Sequence, residues 1–323
     1  MKVLFTADYH IKLDVPKIPN HWQINRFNLL FDEINSVQDV DLLVIGGDLL
    51  DTVKPSTDEL ELMFDLLAKL KHKTVIFSGN HELANKKGIG KYSILQNFAD
   101  EIKRCNPLVT VVKSYRSPEF DIVGYEEISD KKLDSPRLSK LCFTHVRGEI
   151  QPHVKWEIDP AFFKDYELVL TGDLHSHENT QGKFIYPGSP LVSSFHRARA
   201  YGNGYLIVDT DTLSCKWNSL AHLPQLLRKT IQSVDEMIEG TYDWVIYEVE
   251  TDVLSSKDIK KSALLDKKIV SGFAKDATLN LQNTSMSEEM SLFLSEVAKL
   301  SNTDTDRLVS KFNKYAGGVD ENY

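Results

Sequence analysis

Short apolar runs, each ending in side chains able to hold a metal ion, constrain this chain more than any other feature. Residues 3–7, 42–45, 74–77, 141–144 and 168–171 are rich in Val, Ile, Leu and Phe, and turn residues bound them. Runs of this length and make-up read as buried strands. Between the first three, residues 23–34 and 57–70 carry apolar side chains at helical spacing. Phe27, Leu30 and Phe31 form one stripe; Leu60, Met63, Phe64 and Leu67 form the other. Strand–helix–strand alternation predicts βαβ units and a largely parallel sheet in an α/β fold.

The residues that follow the runs carry the chemistry. Asp8 and His10 follow the first and Gly47-Asp48 the second. Gly79-Asn80-His81 follows the third, His145 the fourth and Gly172-Asp173-Leu174-His175 the fifth. Ligands bind α/β sheets at the carboxyl ends of strands, so these side chains are expected at one edge. Glycine lets the backbone turn sharply and approach an ion or phosphate. Asp and His suit borderline-hard divalent ions, and Asn adds a neutral oxygen. One carboxylate can bridge two ions about 3.5–4 Å apart, the spacing that serves phosphoryl transfer. No cysteine stands among the residues that follow the runs, and none forms a CxxC pair, which argues against a structural zinc site. Any one Asp alone would read as a turn or helix-cap residue. All five motifs in register defeat that reading.

Composition bounds the rest. A chain of 323 residues, 41% hydrophobic, suits a large α/β domain with a smaller appendage and excludes general disorder. A net charge of −9 argues, by itself, against a nucleic-acid binder. That count leaves out bound ions, and two dications would add about four positive charges. Cys105, Cys142 and Cys215 are odd in number and widely spaced, and are expected to be buried reduced thiols. The first apolar run is too short for a secretion signal, and no stretch approaches the ~18 apolar residues of a membrane span. A cytoplasmic location is the expectation.

Near residues 223–227 the pattern changes. Residues 233–238 and 256–265 read as helices, and 244–249 and 268–273 as strands, together a small α/β appendage. Residues 276–285 are polar and read as a linker. Two amphipathic helices are expected at 287–300 and 304–315, stopped by Gly317-Gly318. The expected division is 1–225, 226–275 and 276–323.

Asp8-Tyr9-His10, Gly46-Gly47-Asp48-Leu49-Leu50-Asp51, Ser78-Gly79-Asn80-His81-Glu82, Thr144-His145 and Gly172-Asp173-Leu174-His175 resemble the calcineurin-like metallophosphoesterase signature. With Tyr186-Pro187-Gly188-Ser189-Pro190 and the C-terminal extension, the chain is similar to SbcD-type nuclease subunits of the double-strand-break repair family, in a compact bacteriophage form. The resemblance implies a layered α/β/β/α sandwich, with residues 226–275 as a DNA-capping module. It implies two divalent ions, manganese foremost and magnesium as the substitute. Asp8, His10 and His175 would bind the first and Asn80, His145 and Asp173 the second, with Asp48 bridging. A hydroxide held between the ions would attack phosphorus, and His81 would face the scissile phosphate. The family often has Gly-His-x-His where this chain has Gly172-Asp173-Leu174-His175, so either Asp173 or His177 completes the second site.

The implied function is a 3′→5′ double-strand exonuclease with endonuclease activity, in DNA repair, recombination or replication. Its implied partners are double-stranded DNA and an SbcC-type coiled-coil ATPase gripped by the C-terminal helices. No nucleotide-binding glycine loop occurs here, so that ATPase would be a separate chain. A homodimer through residues 23–34 is a further expectation. Lys183, Arg197 and Arg199 lie in an acid-free segment after the ligands and are candidate DNA-phosphate contacts. Asp51 and Glu82 are expected to support the ligands, Tyr9 to pack, and His72, His153, His177, His196 and His222 to be solvated. Two rival readings share the core: a small-substrate phosphatase or cyclic-nucleotide phosphodiesterase, which does not need residues after 225, and a non-catalytic scaffold.

Overall fold

The computed structural model describes residues 1–83, 93–131, 136–199, 202–240, 242–251, 263–270 and 285–316. It divides into two compact units. One holds residues 1–231, 236–248 and 262–266; the other holds 232–235, 249–261 and 267–323.

The first unit is built on two stacked sheets. Strands β1 (Lys2–Thr6), β2 (Leu42–Gly46), β3 (Thr74–Phe77) and β4 (Val109–Val111) run parallel. The second sheet contains β5 (Tyr115–Arg116), β6 (Asp121–Val123), β7 (Leu141–His145), β8 (Leu168–Gly172) and β9 (Phe184–Ile185), in that order. Strands β10 (Gly204–Asp209) and β11 (Cys215–Ser219) extend the first sheet antiparallel, giving the order β11-β10-β1-β2-β3-β4. All five expected strands are present, each within one residue of its expected ends. Strands β4, β5, β6, β9, β10 and β11 are not legible in the sequence, and the largely parallel pairing carries antiparallel strands at β10, β11 and β5.

The apolar pattern explains the stacking. Central strands buried on both faces read as continuous apolar runs. Val3, Phe5, Val44 and Phe77 of the first sheet meet Ile122, Phe143 and Leu170 of the second. The opposite faces, Leu4, Leu43, Ile45 and Ile76, meet α1 (Asn20–Ser36) and α2 (Thr57–Ala68) through Phe27, Leu30, Phe31, Met63 and Leu66. The short helices α3 (Ile94–Asn97) and α4 (Ala99–Cys105) follow. On the outer face of the second sheet, Val123, Cys142 and Val169 pack with Ile128 of α5 (Tyr125–Asp130) and Phe163. The result is the expected α/β/β/α layering. The stripe of α1 is packed into this core, with Phe27, Leu30, Phe31 and Ile34 buried.

Beyond residue 225 expectation and structure part more often. Residues 226–231 form a strand, β12 (Leu226–Ile231), which joins β13 (Trp244–Thr251) and β14 (Leu265–Val270) in a three-stranded sheet. The helix expected at 233–238 is only a 3₁₀ turn, Val234–Glu236. Of the helix expected at 256–265, residues 256–262 lie outside the described residues, and Leu265 already belongs to β14. The strand expected at 268–273 starts three residues early, and residues 271–273 lie outside the description, as do Gly317-Gly318 and all but the last residue of the polar linker. In the second unit, α6 (Met286–Leu292) starts at a Ser285/Glu288 capping box and runs into a π-helical turn, Phe293–Val297. Lys299, in the left-handed region at φ 54°, ends it. The last helix, α7 (Asn302–Ala316), spans the expected 304–315. Among the described residues no helix is long and apolar enough to cross a membrane. Only Cys142 is a buried thiol; Cys105 is exposed and Cys215 half-buried, which corrects the expectation for those two.

Candidate metal centre

Strand ends deliver the candidate residues, and backbone bonds between loops register them. His10 N–H donates to the Asp48 carbonyl at 2.9 Å and Asp8 N–H to that of Gly47 at 3.1 Å. Four of the candidates stand in the left-handed region: Asp8 (φ 60°), His10 (φ 48°), Asp48 (φ 51°) and Asp173 (φ 87°). Asn, Asp and His enter this region more readily than other residues, but it is strained for each, and such strain gathers at functional sites.

The donor atoms converge. One ligand atom each from Asp8, His10 and His175 lie within 4.8 Å of one another; so do those of Asp8, Asp48 and His145, and those of His10, Asp48 and His81. The Nε2 atoms of His10 and His175 are 3.0 Å apart. His145 Nε2 lies 3.4 Å from Asp48 Oδ2, 3.8 Å from Asp173 Oδ1 and 3.3 Å from Asn80 Oδ1. Asp173 N–H donates to Asp8 Oδ1 at 2.9 Å, locking the first and last motifs together.

Close approach explains the glycines. A Cβ on Gly47, itself at φ +87°, would lie 2.5 Å from His145 Nδ1; one on Gly79 would lie 2.2 Å from Asp48 Oδ1. His145 Nδ1 meets the Gly46 carbonyl at 2.9 Å, which makes Nδ1–H the donor there and turns Nε2 toward the cluster.

Supporting groups hold the candidate residues in place. Asp51 Oδ1 lies 3.3 Å from His10 Nδ1, and its other oxygen accepts a 2.6 Å bond from Lys12. The Asp51 carbonyl meets His81 Nδ1 at 2.7 Å. Glu82, fully buried, accepts backbone N–H bonds from Asp48 (3.0 Å), Leu50 (2.9 Å) and Gly79 (2.7 Å), so it ties the loops after β2 and β3 into one piece. Ser189 donates its hydroxyl to the backbone carbonyls around it, with Asp8 O at 2.7 Å, and its N–H to His175 O at 3.0 Å. Ser189 lies inside the Tyr-Pro-Gly-Ser-Pro motif, but only proximity in space gives it this task.

The electrostatics are those of an acidic cluster deprived of water. Burial raises Asp173 to about 6 and Glu82 to about 7, and it raises Asp8 as well. Burial also opposes ionisation of Asp48, but the cations of His145, His10 and His81 outweigh it and hold that carboxyl below the usual range. Burial works against protonated His145 and His10, yet the surrounding carboxylates raise both. Partial desolvation and then the neighbouring His10 hold His175 down to about 4. Clustered carboxylates and converging imidazole nitrogens, with no thiolate, fit divalent cations of hard to borderline character.

The other candidates fall outside the cluster. Lys183 donates to the Phe163 and Tyr166 carbonyls, both at 2.7 Å. Arg197 pairs with Glu248, and Arg199 with Asp243. His177 is not a solvated side chain: its ring stacks on Trp217 at 4.7 Å, and Nδ1 meets the Tyr186 carbonyl at 2.6 Å. Of the two candidates for the second site, Asp173 therefore stands beside His145. Tyr9 packs on Phe31 and is buried.

Comparison with known proteins places this geometry. Residues 1–176 match the family model for calcineurin-like phosphoesterases. A probable exonuclease subunit 1 of Escherichia phage T5 is 47% identical over 98% of both chains. An SbcCD nuclease subunit from Staphylococcus epidermidis is 25% identical over 77% of this chain and 75% of its own. A solved archaeal phosphodiesterase superposes over 67% of this chain and 98% of its own, with a TM-score of 0.36 and 12% identity. With more than half its length matched, the chain belongs to the calcineurin-like phosphoesterase family.

Proposed function

We propose that this phosphoesterase is the nuclease subunit of a two-component DNA-processing enzyme, hydrolysing the phosphodiesters of double-stranded DNA from 3′ ends. The observation that carries the reading is the convergence of the Asp8, His10, Asp48, His145 and His175 donor atoms. The similarity to a phage exonuclease subunit over nearly the whole chain supports the choice of DNA. The name of that relative, and that of the staphylococcal SbcCD relative, support a separate partner, proposed here as an SbcC-type coiled-coil ATPase. Met286, Phe293 and Val297, exposed on the helical segment, support docking there.

In this reading Asp8, His10, His175 and Asp48 would hold one divalent ion, and Asp48, Asn80, His145 and Asp173 the other. The ions, with manganese preferred, would acidify a water and offset charge at phosphorus. Asp51 aims His10, the Gly46 carbonyl fixes the tautomer of His145, and Glu82 sets the spacing of the loops. His81 faces the substrate: its side chain is 33% exposed, against 4% for His10 and 0% for His145. It would hydrogen-bond the scissile phosphate through Nε2 and pass a proton to the leaving oxygen. Residues 226–275 form the module over the DNA, and residues 276–323 the partner segment. Lys183, Arg197 and Arg199 reach phosphate in this scheme only by exchanging their present partners.

The test offers end-labelled duplex and bis(p-nitrophenyl) phosphate to metal-depleted protein given Mn²⁺, Mg²⁺ or chelator, with and without the candidate ATPase. Metal-dependent release of nucleotides from duplex ends is expected. Hydrolysis of the small ester with no attack on any DNA, even with the ATPase, would favour the small-substrate reading.

A further inference from the structure

Arg26, on α1, buries a charge inside the first unit with no counter-ion. Only 2% of the residue is exposed, and burial pulls its guanidinium down to about 9, still protonated at neutral pH. Among the described residues no carboxylate pairs with it, and Nε and Nη1 have no hydrogen-bond partner. It has the face of Trp22, whose ring centroid lies 5.4 Å from the guanidinium carbon. It has one hydrogen bond, donated from Nη2 to the Val192 carbonyl. Burying an unpaired charge is strongly unfavourable, and an apolar side chain of similar volume often serves stability as well or better. Stability alone therefore does not account for an arginine at this position.

The acceptor lies in the short stretch that ties two candidate-bearing loops together. Ser189 shares its hydroxyl between the carbonyls of Leu191 and Asp8, the latter at 2.7 Å, and donates its N–H to the His175 carbonyl at 3.0 Å. Asn203 donates to the Ser189 carbonyl at 2.8 Å. One end of the stretch is thus bonded to the loops of Asp8 and His175, and the other end to Arg26. The side chains of Leu191 and Val192 are buried in different apolar clusters, Val192 among Ile18, Trp22, Leu226 and Trp244. Apolar packing is non-directional and leaves the orientation of a carbonyl open. A charge-assisted bond from a rigid, planar guanidinium fixes it.

We infer that Arg26 is a positioning residue for the metal centre. By holding the Val192 carbonyl it fixes residues 189–192, and through Ser189 it sets the separation of the Asp8 and His175 loops. Those two side chains, with His10, offer donor atoms within 4.8 Å of one another. The inference rests on the reading above, in which the three share one divalent ion. It adds a residue that touches neither ion nor substrate and governs how tightly that ion is held.

The test is calorimetric titration of the metal-depleted whole chain with Mn²⁺, with urea unfolding of the same samples. Arg26→Met roughly keeps the volume and removes the charge and the bond. It should weaken one of the two Mn²⁺ sites about tenfold or more, the loss typical when a group that orients a ligand is removed. Its urea midpoint should move little, because the unpaired buried charge goes with the bond. Arg26→Lys, which keeps a charged donor, should recover most of the affinity. Ser189→Ala should show the same loss as Arg26→Met, and combining the two should add nothing, since both cut one linkage. If Arg26→Met does not unfold cooperatively, Arg26→Gln, too short to reach Val192, takes its place. Mn²⁺ affinity within twofold of wild type, losses that simply add in the double variant, affinity that falls only in step with stability, or a lysine no better than methionine overturns the inference. Absence of any divalent-ion binding by wild type would overturn the metal-centre reading itself.

Discussion

Adding one methyl group at Gly79 tests the geometry of the centre with the least chemical change. A Cβ there would stand 2.2 Å from Asp48 Oδ1, 2.7 Å from Asp48 N and 2.9 Å from Asp48 Cγ. Ordinary C···O approach is roughly 3.3 Å or more, so the Asp48 carboxylate must retreat by about 1 Å. It has no free direction: Oδ1 also accepts His81 N–H at 2.9 Å, and the backbone N–H is held by Glu82 at 3.0 Å. Overpacking of this kind costs about 1–3 kcal/mol, which a domain of this size survives. If Asp48 bridges two ions as proposed, a displacement of about 1 Å would cost turnover about a hundredfold. The assay is Mn²⁺-dependent hydrolysis of bis(p-nitrophenyl) phosphate, with urea unfolding and calorimetric Mn²⁺ titration alongside. Gly182→Ala is the control. That residue sits at φ +58° with nothing within 4 Å of its Cβ, so it loses about 1 kcal/mol to backbone strain and no activity. If Gly79→Ala turns over within threefold of wild type and keeps its Mn²⁺ affinity, the bridging position assigned to Asp48 is wrong.

Further expectations follow from the same coordinates. Asp48→Ala and His145→Ala should each abolish hydrolysis while the protein still unfolds cooperatively; full activity on Mn²⁺ readdition would refute their place in the centre. His81→Ala should keep both ions by calorimetry and lose turnover, and loss of an ion instead would make His81 a ligand. For metal-free protein, His10 and His145 are raised and Glu82 stands at about 7, so above pH 6.5 the folded state holds protons that the unfolded state has released. Stability should then fall by about 1 kcal/mol or more per pH unit as pH rises from 6.5 to 8.5, and Mn²⁺ should restore it; a melting midpoint that climbs over that range would contradict the assignment. Exchanging the charges of the half-exposed pair, Arg199→Asp with Asp243→Arg, should lower stability by about 1–2 kcal/mol, because Asp243 also accepts the Gln225 N–H at 2.9 Å. If Arg199 binds DNA phosphate, the exchange should also reduce the salt dependence of duplex binding; an unchanged slope would remove it from the interface.

The strand-end motifs are legible in the sequence because both their signals are local. A central strand buried on two faces leaves an uninterrupted apolar run, and a ligand following it sits in the next turn. What stays hidden depends on partners distant in sequence. Strand β11 alternates polar residues along its exposed length and becomes a strand only by pairing with β10. The two-residue β5 and β9 have no pattern of their own. Glu82 reads as a capping or supporting residue, but its bonds to loops that the chain reaches separately emerge only in three dimensions. Lys183, Arg197 and Arg199 share an acid-free segment, yet their carbonyl and carboxylate partners lie elsewhere: Glu248 and Asp243 are 51 and 44 residues away from Arg197 and Arg199. Sequence shows which cations are present, not which are already spent.

The left-handed residues have a consequence for how such a chain would age. Four of the residues that build the centre occupy backbone conformations costing about 1 kcal/mol or more each, a sizeable share of the ~5–15 kcal/mol that holds a domain together. Glycine at Asp8 or Asp173 would release that strain and remove a carboxyl that burial disfavours in the metal-free protein. A copy freed from catalytic duty could thus gain thermal stability step by step as it lost its chemistry. In a screen for heat resistance alone, the dead enzyme would win.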